Sequence, residues 1–160
     1  SSSQQILIYR PLVPIHSLRR LHVIVPPRGE FDPGLKHWCR RIATLAEQTA
    51  CRVSVYGEER TLRAVEGAWQ AERRSLSADF HKFTPAEGLA GVAARTRPDH
   101  MAVFVLARRG MPSYHRRLED IPGQLERYFS ARSWMLIVPA ALGSSSSSAD
   151  GRNALTLSDR

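Results

Sequence analysis

Met101-Ala102-Val103-Phe104-Val105-Leu106 is apolar at every position. A strand with one wet face alternates apolar and polar residues, so an unbroken run of this length belongs to a strand covered on both sides, as at the centre of a parallel sheet. Leu21-His22-Val23-Ile24-Val25, closed by Pro26 and Pro27, reads as a second buried strand. Working outward, Asp32 and Pro33 form an N-cap and first-turn pair. Leu35, Trp38, Cys39, Ile42, Leu45 and Ala46 then recur at helical spacing, which predicts a helix over 33–50. Val53 and Val55 mark a strand ended by Gly57, and Leu62, Val65 and Trp69 mark a helix over 60–74. Residues 79–83 alternate as a strand. Thr84, Pro85, Ala86 and Glu87 spell a capping box for a helix carrying Leu89, Val92 and Ala93. Ile121, Leu125, Tyr128 and Phe129 define a last helix, and 134–138 a last strand, ended by Pro139.

Strands that alternate with helices require crossover connections. The expected fold is therefore α/β, an open, mainly parallel five-stranded sheet with helices on both faces. Residues 6–15, interrupted by Pro11 and Pro14, read as a linker or short edge strand. The domain organisation expected is a linker or edge strand over 1–20, an α/β domain over 21–140, and a flexible tail over 141–160, where 143–148 are of low complexity.

With 160 residues the chain has the size of one ordinary domain. Folding at this size buries roughly 68–70% of the surface of the unfolded chain, enough for a core without a metal or disulfide. The longest apolar runs, 101–107 and 134–142, are shorter than the roughly 20 residues that cross a bilayer. Residues 1–5 lack the charged start and apolar stretch of a secretory signal. Cys39 and Cys51 have neither metal nor redox spacing and read as free thiols in a reducing cytosol. Of 23 basic residues only Lys36 and Lys82 are lysines, and the formal charge is +8. Arginine pairs bidentately with phosphate or carboxylate, yet no arginine run exceeds two, so the excess also fits a solvated surface. Without a recognition module or interleaved aromatic and basic residues, nucleic acid is not an expected partner.

In an open parallel sheet the ligand crevice lies beyond the carboxyl ends of the strands. The loops after the two apolar strands therefore matter most. Arg28, Arg108, Arg109 and Ser113, with Gly110 between them, are the candidate ligand-binding residues for a phosphate or carboxylate. The same arginines also read as solvated loop residues. No Walker loop and no GxGxxG follows the first strand. The histidines His16, His22, His37, His81, His100 and His115 form no HExxH and read as surface or half-buried side chains. No serine lies in GxSxG. Glu119 and Asp120, adjacent on a helix, read as capping residues, and Trp38 and Trp69 as core or interface anchors. No catalytic residue and no metal ligand is assigned, and an enzyme is not expected.

The strand and helix order, with Val25-Pro26 closing the first strand, resembles the universal stress protein superfamily, whose members are adenine-nucleotide-binding α/β domains or relatives lacking that activity. Two stretches carry a closer likeness. The first is Leu21 to Pro27 with Gly34-Leu35-Lys36-His37-Trp38. The second is Phe104 to Tyr114, containing Arg109-Gly110-Met111-Pro112-Ser113-Tyr114, then Leu118-Glu119-Asp120-Ile121-Pro122 and Leu136-Ile137-Val138-Pro139. Together they resemble the cytoplasmic C-terminal domain of bacterial cation/proton antiporters, over residues 11–140. This likeness implies a non-catalytic regulatory domain of a sodium or potassium/proton antiporter, at the cytoplasmic face of the bacterial inner membrane. It would act on a transmembrane transport domain of the same polypeptide and pair as a homodimer. Scattered arginines under an anionic lipid surface would each add about 1 kcal/mol of attraction. Pro27 and Arg28 stand where ATP-binding stress proteins carry an acidic residue, and the glycine pattern of their phosphate loop is not reproduced after Leu106. A nucleotide bound in another manner, or a different anionic effector, stays open. So does a stand-alone stress-type nucleotide-binding protein with a diverged phosphate loop.

Overall fold

A computed structural model describes residues 4–83 and 88–140 of the chain. The capping box at 84–87 and the tail at 141–160 lie outside the described residues. The strands are β1 (Ile6–Arg10), β2 (Arg20–Ile24), β3 (Arg52–Gly57), β4 (Ser77–Lys82), β5 (His100–Val105) and β6 (Ser133–Val138). The helices are α1 (Leu35–Thr49), α2 (Glu59–Ala71), α3 (Gly88–Arg95) and α4 (Ile121–Tyr128). They form one six-stranded sheet of order β1-β6-β5-β2-β3-β4.

The class is the α/β class expected, with one more strand. Of the two readings of this segment, linker or short edge strand, residues 6–10 take the second, pairing antiparallel with β6 from Ile6 opposite Val138 to Arg10 opposite Trp134. Pro11 follows its last residue, so the missing amide donor falls just outside the ladder. The other four pairings are parallel.

The two faces of the sheet follow from the parity of each strand. Leu21, Val23, Val53, Val55, Met101, Val103 and Ile137 pack against α1 and α2, where Trp38, Ile42, Val65 and Trp69 are buried. Trp69 donates its indole N–H to the carbonyl of Cys39 at 2.7 Å, which ties the two helices together. On the opposite face Ile24, Ala102, Phe104 and Leu136 meet Val92 of α3 and Leu125 and Phe129 near α4, with Phe104 edge-on to Phe129. Covered on both sides, β5 is buried at all of its positions, as its unbroken apolar run requires. Among the described residues no helix is long and apolar enough to cross a membrane.

One helix start differs from expectation. Asp32 caps nothing with its side chain, and α1 begins two residues beyond Pro33, with Gly34 at the N-cap. A short 3-10 turn at Gly29–Phe31 occupies the approach instead. The carboxylate of Asp32 is used elsewhere, as described next.

Candidate functional site

The strand order reverses between β2 and β5. From β2 the chain winds outward through β3 and β4, then returns to β5 and winds the other way to β6. The two loops that leave these central strands diverge, and a crevice opens between them. It has a volume of about 990 Å³. Its floor is made by the strand ends Ile24, Val25, Phe104 and Val105. Pro26, Pro27 and Arg28 form one wall, and Pro112 to Leu118 the other. The walls are mainly apolar, with Phe83, Leu89, Leu106 and Ile121 completing them, and the charged residues of the lining are Arg28, Arg116, Arg117, Glu58 and Asp120.

Arg28 owes its place to an unusual backbone. The amide of Gly29 donates to the carbonyl of Pro26 at 3.2 Å, closing a turn in which Arg28 has φ 67° and ψ 14°. This is the third position of a type II turn, normally glycine's. A side chain in the left-handed region costs roughly 1–2 kcal/mol. Local strain is thus accepted where a guanidinium is delivered to the crevice. Beside it Phe31 is exposed, with the guanidinium groups of Arg28 and Arg60 each 5.7 Å from its ring centroid.

Asp32 and Ser113 join the two loops. Both are buried, and the Asp32 carboxylate accepts the backbone N–H of Ser113 at 3.1 Å and the Ser113 hydroxyl. On the other side of the same loop Thr61 donates to Glu30 at 2.6 Å. These bonds hold the first wall to α2 and to the second wall, so the crevice has a built shape.

Of the residues singled out in the sequence, Arg28 and Ser113 therefore line the crevice. The Ser113 hydroxyl is already committed to Asp32. Arg108, Arg109 and Gly110 are not in the lining. Arg108 donates through Nε to the carbonyl of Pro139 at 2.9 Å and through its terminal nitrogen to the carbonyl of Gln4, fastening the loop to β6 and to the approach to β1. Arg109 is exposed and reaches Glu119 at 3.4 Å. Gly110 has φ +88° within the turn closed by the Met111 amide on the Arg108 carbonyl, a conformation that favours glycine. Glu119 bonds Arg109 and the Tyr114 hydroxyl rather than capping a helix, and Asp120 makes no side-chain cap. Arg116 and Arg117, missed in the sequence, enter the lining through the 3-10 segment Arg116–Asp120. His115 belongs to the second wall, and burial followed by the charge of Arg117 lowers its pKa, which favours the neutral ring.

His22 and His100 are a second departure. Both are buried and hydrogen-bonded to each other, where surface or half-buried side chains were expected. The one polar residue inside an otherwise apolar run, His22 among Leu21, Val23 and Ile24, was the available signal. Among the described residues no three His, Cys, Asp or Glu side chains converge as a metal site requires. No protein-family model matches the chain, and no curated protein matches it.

Proposed function

We propose that the chain is a non-catalytic regulatory domain that binds an anionic organic effector in the crevice between the ends of β2 and β5. The observation that carries this reading is the crevice itself. Its volume suits a nucleotide-sized molecule, its apolar walls suit a flat ring, and Arg28, Arg116 and Arg117 offer cationic donors to a phosphate or carboxylate. The parent is a sodium or potassium/proton antiporter of the type the sequence resembles, with ion translocation belonging to its membrane domain. Support comes from where the resembling motif falls. Arg108, Ser113 and Tyr114 spend their side chains shaping the loop that walls the crevice. An effector that fits one arrangement of this loop better than another biases whatever is attached to the domain, in proportion to the difference in affinity. The domain would sit at the cytoplasmic face of the membrane as a homodimer, its arginines toward anionic lipid.

The second reading, a stand-alone nucleotide-binding stress-type protein, rests on the same crevice. Calorimetric titration with ATP, cyclic dinucleotides and monovalent cations tests both readings. A ligand at 100 times its Kd stabilises by about 2.7 kcal/mol, a rise of roughly 5–10 °C in the melting midpoint at this size. Arg28→Gly relieves the turn and removes the guanidinium. It is expected to keep the fold and lose at least tenfold in affinity. Absence of binding by all these compounds refutes the effector reading. Coding sequence upstream of Ser1 for multiple apolar spans separates the antiporter from the free protein.

A further inference from the structure

The sheet face under α3 and α4 is apolar at Ile24, Ala102, Phe104 and Leu136 but changes character toward the start of β2 and β5 and across β3 and β4. There Arg20 and His22, then Ser54 and Tyr56, then Asp79 and His81 point to the same side in register. Together with Arg95, Arg97 and His100 they line a cleft of about 440 Å³, distinct from the effector crevice. His22, Ser54 and His100 are buried, and burying polar groups is costly unless they are bonded or used.

The bonds have one direction. The backbone N–H of Arg97 donates to Nδ1 of His100 at 3.2 Å, so that nitrogen is an acceptor. Nε2 of His22, 2.9 Å from the same atom, must then carry a proton and donate. Neutral His22 consequently accepts at Nδ1 from the Tyr56 hydroxyl, 2.9 Å away. The proton of His100 stands on Nε2, at the cleft wall, 3.8 Å from Asp99. The carboxylate of Asp79 is engaged at both oxygens: Oδ1 takes the Ser54 hydroxyl at 2.9 Å and Arg20 at 3.4 Å, and Oδ2 takes His81 at 2.7 Å. The remaining charge is positive. Arg20, Arg95 and Arg97 bring three guanidinium groups to a lining that contains the single carboxylate of Asp79. Arg95 rests over the Tyr56 ring, and Arg97 stands exposed. Burial first, then the charges of His100, Arg20 and Arg95, lower the pKa of His22, and burial first, with Arg20 and Arg97 and against Asp99, lowers that of His100.

We propose that this cleft is a second ligand site, for a tetrahedral oxyanion of the phosphate or sulfate class, free or as a phosphate monoester, held by Arg95, Arg97 and the Nε2–H of His100. Arg20 of β2, Arg95 at the end of α3 and Arg97 in the segment after it line one cleft, against the carboxylate of Asp79, already engaged at both oxygens, and that of Asp99 at its margin. An anion between them turns mutual repulsion into charge-assisted hydrogen bonds. The site is independent of the effector reading above.

The test is calorimetric titration of the 160-residue chain at pH 7 and low ionic strength with inorganic phosphate, sulfate and phenyl phosphate. Arg95→Gln with Arg97→Gln removes two exposed guanidinium groups, leaves the sheet intact by circular dichroism, and is expected to weaken binding at least roughly tenfold. Arg28→Gly, in the other crevice, is expected to leave it unchanged. Histidine side-chain 15N resonances of His22 and His100 are expected to shift on titration. A tighter fit for phenyl phosphate than for inorganic phosphate assigns the ligand as a monoester, and equal affinity assigns the free ion. No binding, binding that survives the double substitution, or binding abolished by Arg28→Gly overturns the proposal.

Discussion

Replacing Gly34 by alanine is expected to destabilise the protein, for a reason set by backbone rather than by side chains. A Cβ added at Gly34 would lie 2.8 Å from the carbonyl oxygen of Ala140, 2.8 Å from Cβ of Pro139 and 2.9 Å from the amide nitrogen of Ala140. Those atoms follow β6, which is paired on both edges, and the Pro139 carbonyl is further held by Arg108. They cannot swing away as a side-chain tip would, so the start of α1 must retreat instead. Trp38, one turn along, is only 1% exposed and moves with it. Overpacking of this kind costs about 1–3 kcal/mol, and with backbone as the obstacle the upper half applies. The φ of −84° at Gly34 is open to alanine, so the unfolded chain returns roughly 0.4–1 kcal/mol through its lost freedom. The net expectation is about 2 kcal/mol of destabilisation, a fall of roughly 4–8 °C in the thermal midpoint. Gly67, inside α2 with nothing within 4 Å of an added Cβ, is the control of opposite sign. There alanine gains about 0.5–1 kcal/mol from helix propensity. Thermal and urea melts followed by circular dichroism measure both, and a Gly34→Ala protein as stable as the parent refutes the reasoning.

Arg10→Ala should cost about 2 kcal/mol in the same melts, because one terminal nitrogen of its guanidinium shares its two protons among the carbonyls of Phe129, Ser130 and Arg132 just beyond α4, and the group lies over Trp134; unchanged stability would contradict the integral role of β1. Acid should destabilise the fold early. Burial, then the charges of His100 and Arg20, lower the pKa of His22 from 6.5 to about 4, so its stabilisation is complete above pH 6.5 and is lost as the pH falls toward 4. The amount is on the order of 3 kcal/mol, His100 is shifted the same way, and His22→Asn should flatten this part of the urea-midpoint profile. Burial pushes both thiols up, that of Cys39 with help from Glu72 and that of Cys51 against a Thr49 hydrogen bond and the Arg19 charge. A disulfide reagent at pH 8 should therefore titrate neither thiol before unfolding, and rapid modification of the native protein would contradict their burial.

The elements legible in the sequence were those whose signal is local. The apolar runs of β2, β5 and β6 and the helical spacing of Trp38, Cys39 and Ile42 are statements about which side of a backbone faces a core, and periodicity carries them. What escaped depended on distant partners. Asp32 before Pro33 has the local form of a helix cap, yet a buried bond to Ser113, 81 positions away, claims its carboxylate. Arg108 has the form of a loop anion ligand, yet the carbonyls of Gln4 and Pro139 claim its guanidinium. The cleft histidines escaped for the same reason, since His22 and His100 meet only through the β2–β5 pairing. Arg28 was legible as a candidate because it immediately follows a strand-ending proline pair, although its left-handed backbone was not.

The edges of the sheet limit how two copies could pair. In the parallel part of the sheet β6 would be an outer strand with a free row of amides and carbonyls, an invitation to a partner. The chain answers that invitation itself. Five residues of β1 occupy the ladder from Val138 back to Trp134, and Arg10 closes it at the end of α4. The opposite edge, β4, carries Asp79, His81 and Lys82, charges that oppose continuous strand addition. A homodimer through strands must then use the outer side of β1, where Ile8 is 49% exposed, or leave the edges alone and use a helical surface. Since α1 and α2 bury Trp38 and Trp69 in their own core, neither tryptophan is available as an interface anchor. Among the described residues, the large exposed apolar side chains left for a partner are Ile8, Leu12 and Phe31. Of these Phe31 stands beside the crevice between β2 and β5, so a contact built on it would feel any shift of the Arg28 turn.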